Sequence, residues 1–333
     1  MKNMRYYAAN YFFKAEEIIK QHNPNNVVTL QFFQRHNDSI LGGMNEVLEI
    51  LKKETDISKY EIKYLPEGSK IDAKEVVLEL TGPYQEFGVY EGIIDGVLAR
   101  STSIATNAYR CLQAAKTKEI IFMGDRSDHY SNQERDGQAV ELAGIKAHST
   151  NAGARGNEAV VFGSIPHALI QNFEGDLVKV MQYYKELFPE DQNLVALVDF
   201  HNDVISDSLK VLKHFGKELK GVRIDTSQAI KDKMFTSNEN EYGVTPNQVK
   251  RLRQVLDENG GSHVKIIVSS GFNPEKIAYF EAENTPVDAY GVGEFILQIH
   301  NTFSADATMI NGSKLAKVGR EYSQNPRLIT LKK

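Results

Sequence analysis

A single cysteine, Cys111, stands in 333 residues. That excludes an intrachain disulfide framework and fits a reducing compartment. A basic excess is also missing: the net charge is −5 at neutral pH, so there is no electrostatic footprint for nucleic acid. No apolar run approaches the ~20 residues that a membrane span needs. The opening, MKNMRYYAANYFFKAEEIIKQ, lacks the apolar core and small-residue cleavage site of a secretory signal. A cytoplasmic globular protein is expected. There is no Walker loop, no Rossmann glycine fingerprint and no G-x-S-x-G elbow. No His/Cys/Asp set has metal-ligand spacing, so no metal ligands are predicted.

What is present is ordinary for a globular chain, with 41% hydrophobic and 25% charged residues and length enough for one large domain or two ordinary ones. Residues 1–115 mix helix and strand. NVVTLQFFQ and EVVLELTGPY read as strands, and NDSILGGMNEVLEILKKE reads as a helix capped near Asp38 or Ser39. A long helical stretch is expected from about Tyr84 to Ala115. Residues 116–305 then repeat short apolar strands: EIIFMG, IKAHST, AVVFGS, LVALVDF, GVRIDT, VKIIVSSG and VDAYGVG. From Leu194 onward amphipathic helical segments follow them, which predicts a parallel α/β arrangement, an irregular barrel more than an open sheet. The tail, 306–333, reads as short strands returning to the N-terminal α+β domain to complete it.

In parallel α/β folds ligands sit at the carboxyl ends of strands. Here those ends are polar. GVRIDTS places Arg223, Asp225 and Ser227 on or just past one strand, with Arg223 and Asp225 on one side, as a structural salt bridge or as part of a site. The next strand ends in VSSGFNPEKI. Ser269, Ser270 and Gly271 make a small-residue turn before a helix capped by Asn273 with Pro274 in its first turn, an arrangement that favours an anion. Gly291 and Gly293 offer a second such turn one unit later, and late-strand loops are where α/β barrels hold phosphate. Upstream, GDRSDHY follows a strand as a mostly solvated loop, from which Arg126 stands out. In GSIPHALIQ, His167 follows Pro166 inside an apolar run, either as a satisfied core histidine or as a nucleophile. The strand lysines Lys146 and Lys265 lie near strand beginnings, the wrong end for a Schiff-base aldolase.

Taken in order, EGSKI, GPYQEF, EGIIDGVLARSTSIATNA, GDRSDHY, GSIPH, VDF, GVRIDTS, IIVSSGF and VDAYGVG resemble the nicotinate phosphoribosyltransferase family over nearly the whole chain. The strongest element is Gly163-Ser164-Ile165-Pro166-His167 upstream of GVRIDTS. The resemblance implies a type II phosphoribosyltransferase fold, usually a head-to-tail homodimer sharing its active sites. It also implies a reaction in which nicotinate and 5-phosphoribosyl 1-pyrophosphate give nicotinate mononucleotide and pyrophosphate in NAD biosynthesis. ATP serves as co-substrate and Mg²⁺ accompanies the phosphates.

By the same resemblance His167 is the histidine phosphorylated by ATP, and Arg223 and Asp225 serve the ring, phosphates and ribose. Ser269, Ser270, Gly271, Gly291 and Gly293 hold the 5-phosphate. Arg126 and Ser227 contribute to substrate binding, and Tyr11 corresponds to an aromatic donated across the dimer to the pyridine ring. Nicotinamide-using relatives carry an Asp where this chain has Ser149, whose hydroxyl can donate to a carboxylate and so favours the acid. The chain departs from the family in having Arg126-Ser127 for two adjacent arginines and Ser164 for a threonine. Three alternatives are a quinolinate phosphoribosyltransferase, which needs a denser cationic cluster and no ATP, a nicotinamide-using enzyme, and a non-catalytic nucleotide-binding relative.

Overall fold

A computed structural model describes residues 3–157 and 161–332. In chain order its strands are β1 (Val27–Phe33), β2 (Ser39–Ile40), β3 (Glu61–Tyr64), β4 (Lys70–Ile71), β5 (Leu78–Pro83), β6 (Glu119–Phe122), β7 (Ala147–His148), β8 (Val195–Leu197), β9 (Gly221–Ile224), β10 (Lys265–Val268), β11 (Ala289–Val292), β12 (Ser304–Ile310) and β13 (Ile329–Thr330). Its α-helices are α1 (Asn10–His22), α2 (Met44–Glu54), α3 (Glu91–Ala115), α4 (Gln133–Ala143), α5 (His167–Asn172), α6 (Leu177–Leu187), α7 (Val204–Phe215), α8 (Pro246–Glu258) and α9 (Pro274–Ala282). They form two compact units, one of residues 1–107, 139–143 and 298–333, the other of 108–138 and 144–297. No described helix is long and apolar enough to cross a membrane.

The first unit is built on an antiparallel sheet ordered β12-β1-β5-β3-β13. Leu30, Phe32 and Leu80 from its strands share one core with Met44, Val47 and Leu51 of α2 and Ile94 and Leu98 of α3. Two expectations change here. The second helix begins at Met44 with Gly43 as its cap, not near Asp38 or Ser39, because Ser39–Ile40 is spent as a strand against Lys70–Ile71. The long helical stretch starts at Glu91; Tyr84–Glu86 and Gly88–Tyr90 are separate 3-10 turns.

The second unit holds a parallel sheet ordered β7-β6-β11-β10-β9-β8. The irregular barrel takes the form of a curled half-barrel, and the side-chain alternation of its strands explains its chemistry. One face carries Ile120, Val222, Ile224, Ile266, Val268, Tyr290 and Val292, all buried. Behind it the helices bury Val204 and Val211 of α7, Val249 and Leu252 of α8, and Ile277 and Phe280 of α9. The other face carries Ile121 and Ala147 in pairing register, then Gly291 beside Ile121, and Ile267 beside Arg223 and Ala289. Ile121, Ala147 and Ala289 pack there with Met123, Phe162 and Ile267. Continuing the alternation past the strand ends brings Asp225, Ser269, Gly293 and Ser149 to this same concave face. Of the expected strand AVVFGS, Ala159 and Val160 lie outside the described residues, while Val161 bridges His148 in parallel.

Candidate active site

Arg223 is the centre of the concave face. Its Nε donates to Ser269 Oγ at 3.0 Å, one terminal nitrogen donates to Ser164 Oγ at 3.1 Å, and the other pairs with Asp225 Oδ2 at 3.1 Å. Ser269 in turn donates to Asp225 Oδ1 at 2.6 Å. A planar guanidinium with five fixed donors suits such a fork, and the closed ring of Arg223, Asp225 and Ser269 holds each side chain in one orientation. The bond to Ser164 has a second consequence. Ser164 lies three residues past Val161, which bridges β7 at one edge of the sheet, while Arg223 is on β9 near the other. The curl therefore brings the two edges of the sheet to one place.

Next to this ring is a histidine–carboxylate pair. His167, the first residue of α5, shares a 2.9 Å hydrogen bond between Nε2 and Asp199 Oδ1. Its side chain is 45% exposed, so it is not a core histidine; Asp199 is 5% exposed. Burial pushes the Asp199 carboxyl up from its ordinary value, the bond to His167 pulls it back, and the nearby Asp225 charge adds to the rise. An ionised Asp199 only accepts, so Nε2 carries the proton and the Nδ1 lone pair remains for chemistry.

The turn after β10 is the most constrained backbone here. Ser270 and Gly271 both take left-handed conformations, with φ of +82° and +66°. A Cβ on Gly271 would lie 2.2 Å from Gln228 Nε2, so only glycine lets that amide sit over the turn. Asn273 caps α9 by accepting from the Lys276 N–H at 2.8 Å, and Pro274 follows at the first helical position. Lys276 reaches back to donate to Ser270 O at 3.1 Å, its Nζ 4.3 Å from the Phe272 ring centroid. Burial pushes its ammonium down to about 8.

The remaining candidates fall as follows. Ser227 is exposed, its Oγ accepting from the Ala229 N–H at 3.3 Å. Gly291 is not in a turn: it lies inside β11, where a Cβ would meet Met123 Sδ at 2.5 Å. Gly293 follows the strand, and a Cβ there would sit 2.2 Å from Met123 O and 3.7 Å from Ser127 Oγ. No α-helix starts behind Gly293 and its φ is not positive, so the second anion turn expected there is instead a close crossing of two backbones. Arg126 is exposed and has no hydrogen bond or ion pair among the described residues. Ser149 donates its proton to Asp125 Oδ1 at 3.1 Å. Tyr11 lies in the other unit, on α1, 66% exposed.

Sequence reasoning passed over Asp199, Gln228 and Lys276 as individual residues, and read Asp125 only as one charge of a mostly solvated loop. Asp199 and Asp125 carried a signal, since each is a carboxylate within two or three residues of the end of an apolar strand. Gln228 and Lys276 carried none, because what marks them is a tertiary approach to the Ser270–Gly271 turn.

A family model described as quinolinate phosphoribosyl transferase, N-terminal domain, matches residues 11–102. The nicotinate phosphoribosyltransferase pncB2 of Mycobacterium tuberculosis is 26% identical over 231 residues, 68% of this chain and 46% of that protein. The chain thus spans about half the length of the curated relatives it matches. Among solved structures, nicotinate-nucleotide pyrophosphorylase from Pyrococcus furiosus superposes with a TM-score of 0.84 at 28% identity, covering 99% of this chain and 83% of that one. Human nicotinic acid phosphoribosyltransferase gives 0.73 at 15% identity, covering 95% and 77%, a likeness of fold. In sequence the chain is thus similar to nicotinate phosphoribosyltransferases over about two thirds of its length, and in fold to the type II phosphoribosyltransferases, whose half-barrel it shares.

Proposed function

We propose that this chain transfers the 5-phosphoribosyl group of phosphoribosyl pyrophosphate to the ring nitrogen of nicotinate, giving nicotinate mononucleotide and pyrophosphate, in the cytoplasm as a step of NAD biosynthesis. The pyridine nitrogen brings its own lone pair, so no general base is needed. The N–C1 bond forms as the C1–O bond to pyrophosphate breaks, and the site has to hold the partners in line and support a cation-like ribosyl centre. Asp225, fixed by Arg223 and Ser269, is the carboxylate for that centre, and Arg223 is the cation for ring or phosphate. The Ser269–Ser270–Gly271 turn ahead of α9 receives the 5-phosphate, and Gly291 and Gly293 let the Met123 segment pack closely against the next strand end. No group of three or more His, Cys, Asp or Glu that fits a metal ion occurs among the described residues. Mg²⁺ would come with the diphosphate, and Asp225 is a carboxylate of this site that could help hold it.

One observation favours the ATP-coupled nicotinate reading over quinolinate: the His167–Asp199 pair beside the Arg223 ring. It supplies a nucleophile that plain phosphoribosyl transfer does not use. Phosphorylation forms an N–P bond at Nδ1 and breaks the bond between the γ- and β-phosphates of ATP, releasing ADP. Water then takes the phosphoryl group, giving inorganic phosphate. The family match to a quinolinate phosphoribosyl transferase domain and the Pyrococcus furiosus structure support quinolinate as the second reading. Among the described residues, Arg223 is already paired and Arg126 is a single exposed cation past β6, less than two carboxylates call for. We further place two copies in a homodimer with shared sites, Tyr11 reaching the partner's pyridine ring.

The test is product formation from labelled nicotinate and phosphoribosyl pyrophosphate, with and without ATP, for wild type and His167→Ala. Stimulation by ATP in the wild type alone is expected. Sedimentation of the same samples should give a dimer. Consumption of quinolinate alone, or ATP stimulation that survives in His167→Ala, sinks the reading.

A further inference from the structure

Ser149 has one proton to give, and the structure shows where it goes: Asp125 Oδ1, 3.1 Å away. A hydroxyl whose hydrogen is committed shows only lone pairs to anything else that approaches. Asp125 lies just past the end of β6, and its backbone is held as well, since Gln133 Nε2 from the start of α4 donates to Asp125 O at 3.2 Å. Beside it Arg126 is exposed and carries no ion pair among the described residues. Ser127, next in the chain, comes up to Gly293 at the end of β11. The strand ends of β6 and β7 therefore present the exposed guanidinium of Arg126 next to an acceptor pair made by Asp125 and Ser149.

A pyridine carboxylate wants donors on both of its oxygens. A pyridine carboxamide wants a donor for its oxygen and an acceptor for its NH₂. The pair on β6 and β7 complements the second pattern, and the Asp125 charge acts against the first. Resting on the phosphoribosyl-transfer reading above, we infer that Asp125 is a specificity-determining residue of this site, which weakens the preference for the acid by orienting the Ser149 hydroxyl as an acceptor and by repelling a substrate carboxylate. Ser149 by itself does not decide the choice; its donor is available to a carboxylate only when Asp125 does not hold it.

The experiment measures kcat/KM for nicotinate and for nicotinamide in wild type, Asp125→Asn, Asp125→Ala and Ser149→Ala, each with phosphoribosyl pyrophosphate, Mg²⁺ and ATP. Asparagine can still accept from Ser149 through its carbonyl while turning an NH₂ outward, and alanine frees the serine proton. Both changes are expected to raise the acid-to-amide ratio of kcat/KM by ~10-fold or more, the scale of one new charge-assisted hydrogen bond and one repulsion removed. Ser149→Ala keeps the carboxylate and should shift the ratio less than either. A change that merely loosened the loop would lower both rate constants together and leave the ratio alone. A ratio that stays put or falls in both Asp125 variants, or a larger rise in Ser149→Ala, overturns the inference while nicotinate turnover itself stands. Turnover of quinolinate only, in every protein, removes the nicotinate reading and takes this inference with it.

Discussion

Lys276 is an unusual residue to find against the Ser270–Gly271 turn, because its own burial works against its charge. Its Nζ is tied to the Ser270 carbonyl, and desolvation lowers its pKa from 10.5 to about 8. The unfolded chain, with a lysine near its ordinary value, binds more protons than the fold between those two pH values. Stability contributed at this site therefore rises with pH from about 8 to about 10.5, and the penalty for charging the ammonium is fully present below 8. In Lys276→Met that slope should vanish. Urea unfolding across the window is expected to show the wild type gaining on the variant as pH rises. A constant difference between the two proteins would mean that the ammonium is not desolvated in the fold.

At the scale of elements the same half-barrel contains two glycines that look alike in sequence and differ in what surrounds them. A Cβ at Gly291 meets the end of a flexible side chain, Met123 Sδ at 2.5 Å. A Cβ at Gly293 meets the Met123 backbone oxygen at 2.2 Å, where the Met123 N–H to Val292 O bond of 2.9 Å already locks the two segments together. Methionine can swing aside; a carbonyl in a ladder cannot. Gly291→Ala is expected to cost about 1 kcal/mol and Gly293→Ala about 3 kcal/mol or more in urea unfolding. Equal costs would show that the strand ends yield as readily as the side chain. The contrast also marks the limit of reading by sequence. The strands β6 and β9 to β11 were legible because β-branched apolar runs with a buried convex face leave a strong local pattern, and the α9 cap was legible because Asn273-Pro274 is a local signal. The role of Gly291 was not, since it depends on which residue of a distant strand arrives beside it. The start of α2 was misplaced for a related reason: Asp38 and Ser39 have cap-like chemistry, but pairing with β4 claims the backbone they would have capped. The site followed the same division. Arg223, Asp225 and Ser269 were legible as polar residues at strand ends and His167 as a histidine behind Pro166 in an apolar run, whereas the commitment of the Ser149 proton to Asp125 is a hydrogen bond across 24 residues that no spacing reveals.

Across the whole molecule the chain's last segment has an effect out of proportion to its length. The first unit's sheet runs β12-β1-β5-β3-β13, so its two outer strands are both supplied by residues after 303, while the three inner strands come from the first 83. β12 pairs with β1 along six residue pairs, and the tail adds buried hydrogen bonds, among them Thr308 to Gln31 at 3.3 Å and Gln31 to the Ser323 carbonyl at 2.8 Å. Gln31 and Glu79, opposite each other on β1 and β5, are buried polar groups whose partners include this segment. Ending the chain after Leu297 would leave β1 and β3 with open ladders and Gln31 with an unmet carbonyl, the combination that invites edge-to-edge association and costs the full desolvation of the orphaned group. Ending it after Ile310 would keep β12 in place and expose the β3 edge, while also removing Ser323 from Gln31 and Arg327 from Glu75 at 2.7 Å. The expected order in thermal unfolding and light scattering is therefore wild type, then the Ile310 truncation, then the Leu297 truncation, with the last associating on purification. If the Leu297 truncation stays monodisperse and melts with the wild type, the three inner strands hold together without their outer pair. The first sheet would then be a unit that the tail merely decorates.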